Sequence, residues 1–319
     1  MTALTITPGT HLVVGAGEVG SSTATLLAEA GADVVLVSRS GRGPVHAAIR
    51  RVAADAASVS ALLAAAPQAA VIYNCVNPVY TRWEEDWPPM AAAFLEYAER
   101  TGAVLAVVSN LYGYGPVDVP MTEDLPLVAT GHKAAVRIQM WRDQIAAHEA
   151  GRIRMTEVRG SDYLCPGEQS MFGDRVMPRL LAGKGVQLIG DLDAPHTWTA
   201  PVDMARTLIT AANDPRGHGR AWHVPSNAPR SQREVIADLA SVVGGDRVKV
   251  SAVPSPVLRA VGLFQPMLRE LRETDYQRTR PYILDDRAAR ETFGLTPTPW
   301  SDLVAAQVAA YQTPTAAAA

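Results

Sequence analysis

The chain is 319 residues long, 48% apolar and 19% charged, with a formal net charge of −3. This is the composition of a folded protein of one large domain, or of one with a smaller appendage, and it shows no basic excess for nucleic acid or an anionic membrane surface. Two cysteines, Cys75 and Cys165, are too few for a disulfide framework and read as small core residues in a reducing compartment.

The opening "MTALTITPGTHLVVGAGEVG" lacks the basic start of a signal peptide, and no stretch holds the ~18 apolar residues of a membrane span. A cytoplasmic location is the expectation. The chain then alternates two periods. "HLVVG", ending at Gly15, is a short apolar run, and "EVGSSTATLLAEAG" follows with helical spacing and stops at Gly31. "ADVVLVSRS" is a second strand. "RRVAADAASVSALLAAAP" holds a short run and then a helix ended by Pro67. "AAVIYNCV" is a buried strand, and "WPPMAAAFLEYAERTG" a helix with Pro88 and Pro89 at its start and Gly102 as its stop. "AVLAVVSN" is the next strand, and "RMTEVRGSDYLCPG" a further strand with its loop. "MFGDRVMPRLLAGKG" reads as a short helix leaving the sheet. "VQLIGDLDAPHTWTAPVDMARTLITAAND" gives strand, loop and helix, and "RAWHVPSNAPRSQREVIADLASVVGG" gives strand, capped turn and helix.

Continuous apolar strands alternating with helices predict an α/β fold: a doubly wound parallel sheet covered on both faces. Its ligands sit at the carboxyl ends of the strands, where Gly15, Ser38, Cys75–Asn77 and Ser109–Asn110 fall. The proline-rich end reads as a smaller, mainly helical lobe over that crevice. Leu263, Phe264, Met267 and Leu268 suit either an apolar ligand or a plain helix core. The expected division places a dinucleotide-binding Rossmann domain at about 1–165, with returning segments at about 186–225. The substrate lobe takes about 226–319 plus about 166–185.

Gly15, Gly17 and Gly20 form G-x-G-x-x-G between a strand and a helix. The first permits a tight turn, the second a close approach of pyrophosphate, the third close helix–strand packing. Gly15, Gly17, Glu18, Val19 and Gly20 are therefore expected to hold a dinucleotide at the helix N-terminus. An acid ~20 residues further on would bind the ribose of NAD, but here Ser38 and Arg39 stand in its place with Arg42 close by. Arginine pairs with a 2′-phosphate, so NADP is favoured over NAD. Asp55 suits either the adenine amino group or a helix cap. Cys75, Val76 and Asn77 fall at the nicotinamide–ribose level.

Beyond the glycine loop, "VVSNLYGYGP" (Val107–Pro116), "VRGSDYLCPG" (Val158–Gly167), "HTWTAPVDMA" (His196–Ala205) and "RPYILDDRAARETFGLTPT" resemble the extended short-chain dehydrogenase/reductase family, the NAD-dependent epimerases and dehydratases. The resemblance covers nearly the whole chain. It implies a tyrosine that exchanges a proton with the substrate oxygen, a lysine four residues later that binds the nicotinamide ribose, and a serine on the same oxygen. It also places the loop with Gly160, Ser161 and Asp162 beside the nicotinamide.

The chain departs from that pattern. Aligning on Tyr114-Gly115-Pro116 puts Asn110 at the serine position, preceded by Ser109. Aligning on Lys133 puts Ala129 at the tyrosine position, beside Thr130; neither is a general acid near neutrality. The glycine loop is G-x-G-x-x-G where extended members carry G-x-x-G-x-x-G. Lys133 keeps the ribose role that the resemblance implies. Tyr112 is the candidate to replace the missing acid, and His132 reads as an acid or a surface imidazole. Tyr163 and Trp198 are candidates for the substrate wall. The histidines show no metal-ligand spacing, so no metal is expected.

These residues predict an NADPH-dependent reductase of a carbonyl group on a small molecule, aromatic or polyketide-like, with a proton from a source other than tyrosine, including the substrate itself. The alternatives are an epimerase or dehydratase of the same family, or a non-catalytic NADP-binding sensor. A homodimer is compatible with the resemblance.

Overall fold

The computed structural model describes residues 4–245, 248–254, 265 and 270–312. The apolar run around Leu263, Phe264, Met267 and Leu268 lies outside them. The strands are β1 (Thr10–Val14), β2 (Asp33–Ser38), β3 (Ile49–Ala53), β4 (Val71–Asn74), β5 (Val104–Asn110), β6 (Arg154–Gly160), β7 (Val186–Leu188), β8 (Ala221–His223) and β9 (Val250–Ala252). Seven of them form one sheet in the order β3-β2-β1-β4-β5-β6-β8, with every pairing parallel. The order reverses between β1 and β4, which opens a crevice at their carboxyl ends.

Both faces of the sheet are covered, which is why β1, β2, β4 and β5 read as nearly unbroken apolar runs. Helices α1 (Glu18–Glu29) and α6 (Pro201–Asn213) bury Leu27, Met204, Leu208 and Ile209 against one face. Against the other lie α2 (Val59–Ala65), α3 (Trp83–Thr101) and α4 (His132–Glu149), through Leu62, Phe94, Tyr97 and Ala147. A second core joins α5 (Met177–Leu181), α7 (Gln232–Val243) and the helix Trp300–Gln312 around Phe172 and Trp198. No helix among the described residues is long and apolar enough to cross a membrane.

Two local expectations are corrected. Pro88 and Pro89 lie inside α3, which begins at Trp83. The carbonyls their missing N–H groups leave free belong to Glu84 and Glu85, which are exposed to water, while Trp83 and Trp87 are buried and anchor the first turn. The stretch 186–188 does not rejoin the large sheet. It is β7, which pairs with β9 in a separate two-stranded parallel sheet beside the helices of the smaller lobe.

A buried polar chain ties β5, β6 and β8 together. Arg159 donates through Nε to Glu157 at 2.7 Å and through Nη1 to the Tyr114 hydroxyl at 2.7 Å. That hydroxyl lies 2.8 Å from His223 Nε2, and His223 Nδ1 lies 2.9 Å from the Asp285 carbonyl. A carbonyl only accepts, so Nδ1 carries the proton and Nε2 accepts from Tyr114. Burial, the largest influence, drives the His223 pKa down from 6.5 to about 3. The unfolded chain therefore takes up this proton more readily, and the stability His223 contributes is lost as pH falls from about 6.5 toward 3. Denaturation midpoints measured across that window should fall less steeply with acidification in His223→Gln than in the parent chain.

Candidate active site

The glycine loop has the shape its spacing demands. Gly15 has φ 103°, and a side chain there would strike the backbone of Cys75 and Val76. A side chain on Gly20 would collide with the Gly15 carbonyl, whereas one on Gly17 would meet nothing within 4 Å. Gly17 is also the N-cap of α1 and supplies no side-chain cap, so the helix presents free N–H groups to that open side. Glu18 is exposed, and Val19 is buried in the core, leaving its backbone for a ligand. These features fit a pyrophosphate.

At the end of β2, the Ser38 hydroxyl donates to the Arg42 carbonyl at 2.8 Å, folding the turn. Arg39 and Arg42 are both exposed beside it. Asp55 accepts from the Ala57 N–H at 3.0 Å, while the cap of α2 is Ser58. Thus the capping role belongs to Ser58. Cys75 is buried, and burial pushes its thiol up to about 12, which makes it inert. The Val76 N–H donates to the Asn74 side chain at 3.3 Å, and exposed Asn77 donates to Gln169 at 3.4 Å, bridging to the smaller lobe.

The loop after β6 is pinned from behind. Gly160 packs against Met204 and Thr199, and the Ser161 N–H donates to Thr199 at 2.9 Å. His196 Nδ1 donates to the Gln277 carbonyl at 3.1 Å, and its Nε2 lies 3.2 Å from the Ser161 hydroxyl and 3.3 Å from Asp162. Burial works against the Asp162 carboxylate, but His196 and Arg278 hold it below its ordinary range. Tyr163 is half-buried, and burial pushes its hydroxyl well up. Trp198 is 2% exposed, donates to the Arg230 carbonyl at 2.8 Å and packs edge-on to Phe172. It is a core residue of the lobe rather than a wall of the crevice.

At the end of β5, Ser109 is buried and lines a small, partly open pocket of about 10 Å³ with Arg137, Glu157 and Arg159. Asn110 is half-buried, and its side-chain oxygen accepts from the Tyr112 N–H at 3.1 Å. The amino group of that carboxamide is the donor a substrate oxygen can use. Tyr112 stacks on Trp83 at 5.9 Å, and burial raises its hydroxyl well above the usual phenol range, so it keeps its proton. Ala129 donates its N–H to the Gly113 carbonyl at 3.1 Å and packs beside Gly115. His132 is exposed and lies 3.0 Å from Glu84 of α3.

Lys133 is 2% exposed. Its ammonium lies 2.6 Å from the Glu270 carboxylate and 5.1 Å from the centre of the Tyr80 ring. Its backbone N–H donates to Glu273 at 2.7 Å. Because the N-cap of α4, Gly131, has no side chain to cap the helix, Glu273 acts as that cap from 140 residues away. Tyr80, Glu270 and Glu273 are the site residues that sequence reasoning missed. The visible signal was two acids three apart in "RELRETDYQR", a spacing that puts both on one helical face.

A crevice at a sheet switch point, a glycine loop opening a helix and a lysine at the start of α4 define a dinucleotide-binding α/β protein. The model of the NAD dependent epimerase/dehydratase family matches residues 11–224, and the chain belongs to that family. A comparison with curated proteins finds no match in sequence. Among solved structures, an epimerase from Methanothermobacter thermautotrophicus is similar with a TM-score of 0.77 at 16% identity, over 95% of this chain and 92% of that one. A UDP-glucose 4-epimerase from Thermotoga maritima, solved with UDP-glucose, gives 0.77 at 17%, over 95% and 98%. A dTDP-glucose 4,6-dehydratase from Bacillus anthracis, solved with NAD, gives 0.75 at 15%, over 97% and 98%. At these identities the likeness is one of fold.

Glu273→Ala should destabilise the protein by about 1 kcal/mol, as loss of a helix cap does. Urea denaturation followed by circular dichroism measures it.

Proposed function

We propose that the protein is an NADPH-dependent reductase of a carbonyl group on a small aromatic or polyketide-like molecule. The observation that carries this is the absence of a proton-exchanging couple at the start of α4: position 129 is alanine, and the Lys133 ammonium is committed to Glu270. An epimerase or dehydratase must take a proton from a substrate hydroxyl and later return it. A one-way reduction needs only a donor to the nascent oxygen, and an acidic hydroxyl beside the carbonyl of the substrate can be that donor.

When bound, the dinucleotide supplies the hydride. The Gly15–Gly20 loop and the N-terminus of α1 hold the pyrophosphate, and Arg39 with Arg42 pairs with a 2′-phosphate. The Asn110 amino group, oriented because its oxygen is fixed by the Tyr112 N–H, donates to the substrate oxygen. Tyr80, Tyr112 and Tyr276 give the crevice aromatic walls; the Tyr276 hydroxyl donates to the Tyr112 carbonyl at 3.4 Å. The same missing couple favours a second reading, a sensor that binds NADP without turnover. NADPH oxidation that depends on an added ketone decides for the reductase.

Arg39→Ala should weaken NADP binding roughly tenfold and leave NAD binding nearly unchanged, as loss of one charge-assisted contact does; fluorescence titration reads both. Asn110→Ala should lower kcat on a ketone substrate by roughly 10²–10³ with a smaller change in KM, the signature of a donor that acts mainly on the developing oxyanion.

A further inference from the structure

The resemblance hands Lys133 to the nicotinamide ribose, yet its side chain is 2% exposed and closed over. The Glu270 carboxylate lies on the ammonium at 2.6 Å, and the Tyr80 ring lies on another side. Glu270 itself keeps 28% of its side chain exposed. Of the two partners, the acid faces outward and the base lies behind it. The segment carrying Glu270 runs along the crevice: Glu273 reaches the Lys133 N–H, Tyr276 reaches the Tyr112 carbonyl, and the Gln277 carbonyl reaches His196 beside Asp162.

We infer that Glu270, held in place by Lys133, is a polar group this chain presents in the crevice, and that its other carboxylate oxygen accepts a hydrogen bond from a hydroxyl of the bound small molecule. One oxygen, Oε2, is occupied by the ammonium. The other can only accept while the group is ionised, so its partner must be a donor. Glu273 stands three residues away, and two carboxylates on one wall disfavour a phosphate or carboxylate there. The hydroxyl belongs either to the nicotinamide ribose or to the substrate. This inference rests on the crevice being the binding site of the proposed reductase, but not on reduction taking place in it.

The test uses Glu270→Gln in the full chain, with calorimetric titration of NADPH and then, with NADPH present, of a matched pair: 1-acetyl-2-naphthol and 1-acetonaphthone, which lacks the hydroxyl. If the substrate is the source, the parent protein prefers the hydroxylated ketone by roughly tenfold and the variant binds both within about twofold. If the ribose is the source, the variant loses roughly tenfold in NADPH affinity while the ratio between the ketones is unchanged. Movement of neither quantity overturns the inference. So does tighter NADPH binding, because Glu270 would then compete with the ribose for Lys133. The variant leaves a buried ammonium unpaired; should it fail to melt cooperatively, the double variant Glu270→Gln with Lys133→Met carries the same readouts. Hydroxyl discrimination without NADPH oxidation keeps this inference and removes the reductase reading. Oxidation that is indifferent to Glu270 does the reverse.

Discussion

An ammonium group cannot stay in a protein interior without an anion beside it. Lys133 is buried, and the anion comes from Glu270, far along the chain. A second acid on the same segment, Glu273, satisfies the first turn of the same helix. Together they fix where α4 begins and draw the 270–278 stretch across the carboxyl edge of the sheet. The crevice owes one wall to that pairing. The other wall is the glycine loop, whose turn exists only because Gly15 takes a positive φ against the backbone of Cys75.

Around these two walls, polar groups are held from behind. Thr199 and His196 steady the loop after β6, and Arg159, Tyr114 and His223 steady the loop after β5. The residues that could touch a ligand are thus positioned by neighbours that do not. Such an arrangement keeps a site rigid while leaving its outer face free to vary.

What the sequence showed follows the range of the interactions involved. The strands β1, β2, β4 and β5 announced themselves by continuous apolar runs, and the phosphate loop by the spacing of Gly15, Gly17 and Gly20, because both depend on residues close in sequence. Ala129 was legible for the same reason, through its distance from Lys133. The start of α3 was misplaced because local proline chemistry argued for Pro88, whereas the burial of Trp83 and Trp87 extends the helix past it. The stretch at β7 joined a different sheet because its partner, β9, lies more than 60 residues on. Trp198 looked the same as a core residue or as a pocket wall until its partners Phe172 and Arg230 were known. Above all, nothing near Lys133 in the chain points to Glu270 or Glu273, so the state of the lysine could not be read.

The cap that Glu273 places on α4 has a consequence for how this protein can be remade. The 270–278 stretch supplies part of α4's own start, so it is not a detachable module. A chimera that exchanged it for a relative's would leave the first turn of α4 without its acceptor and Lys133 without its counter-ion. Swapping specificity in this scaffold requires carrying the two acids across with the graft, or giving Gly131 a capping side chain of its own and Lys133 a neutral replacement.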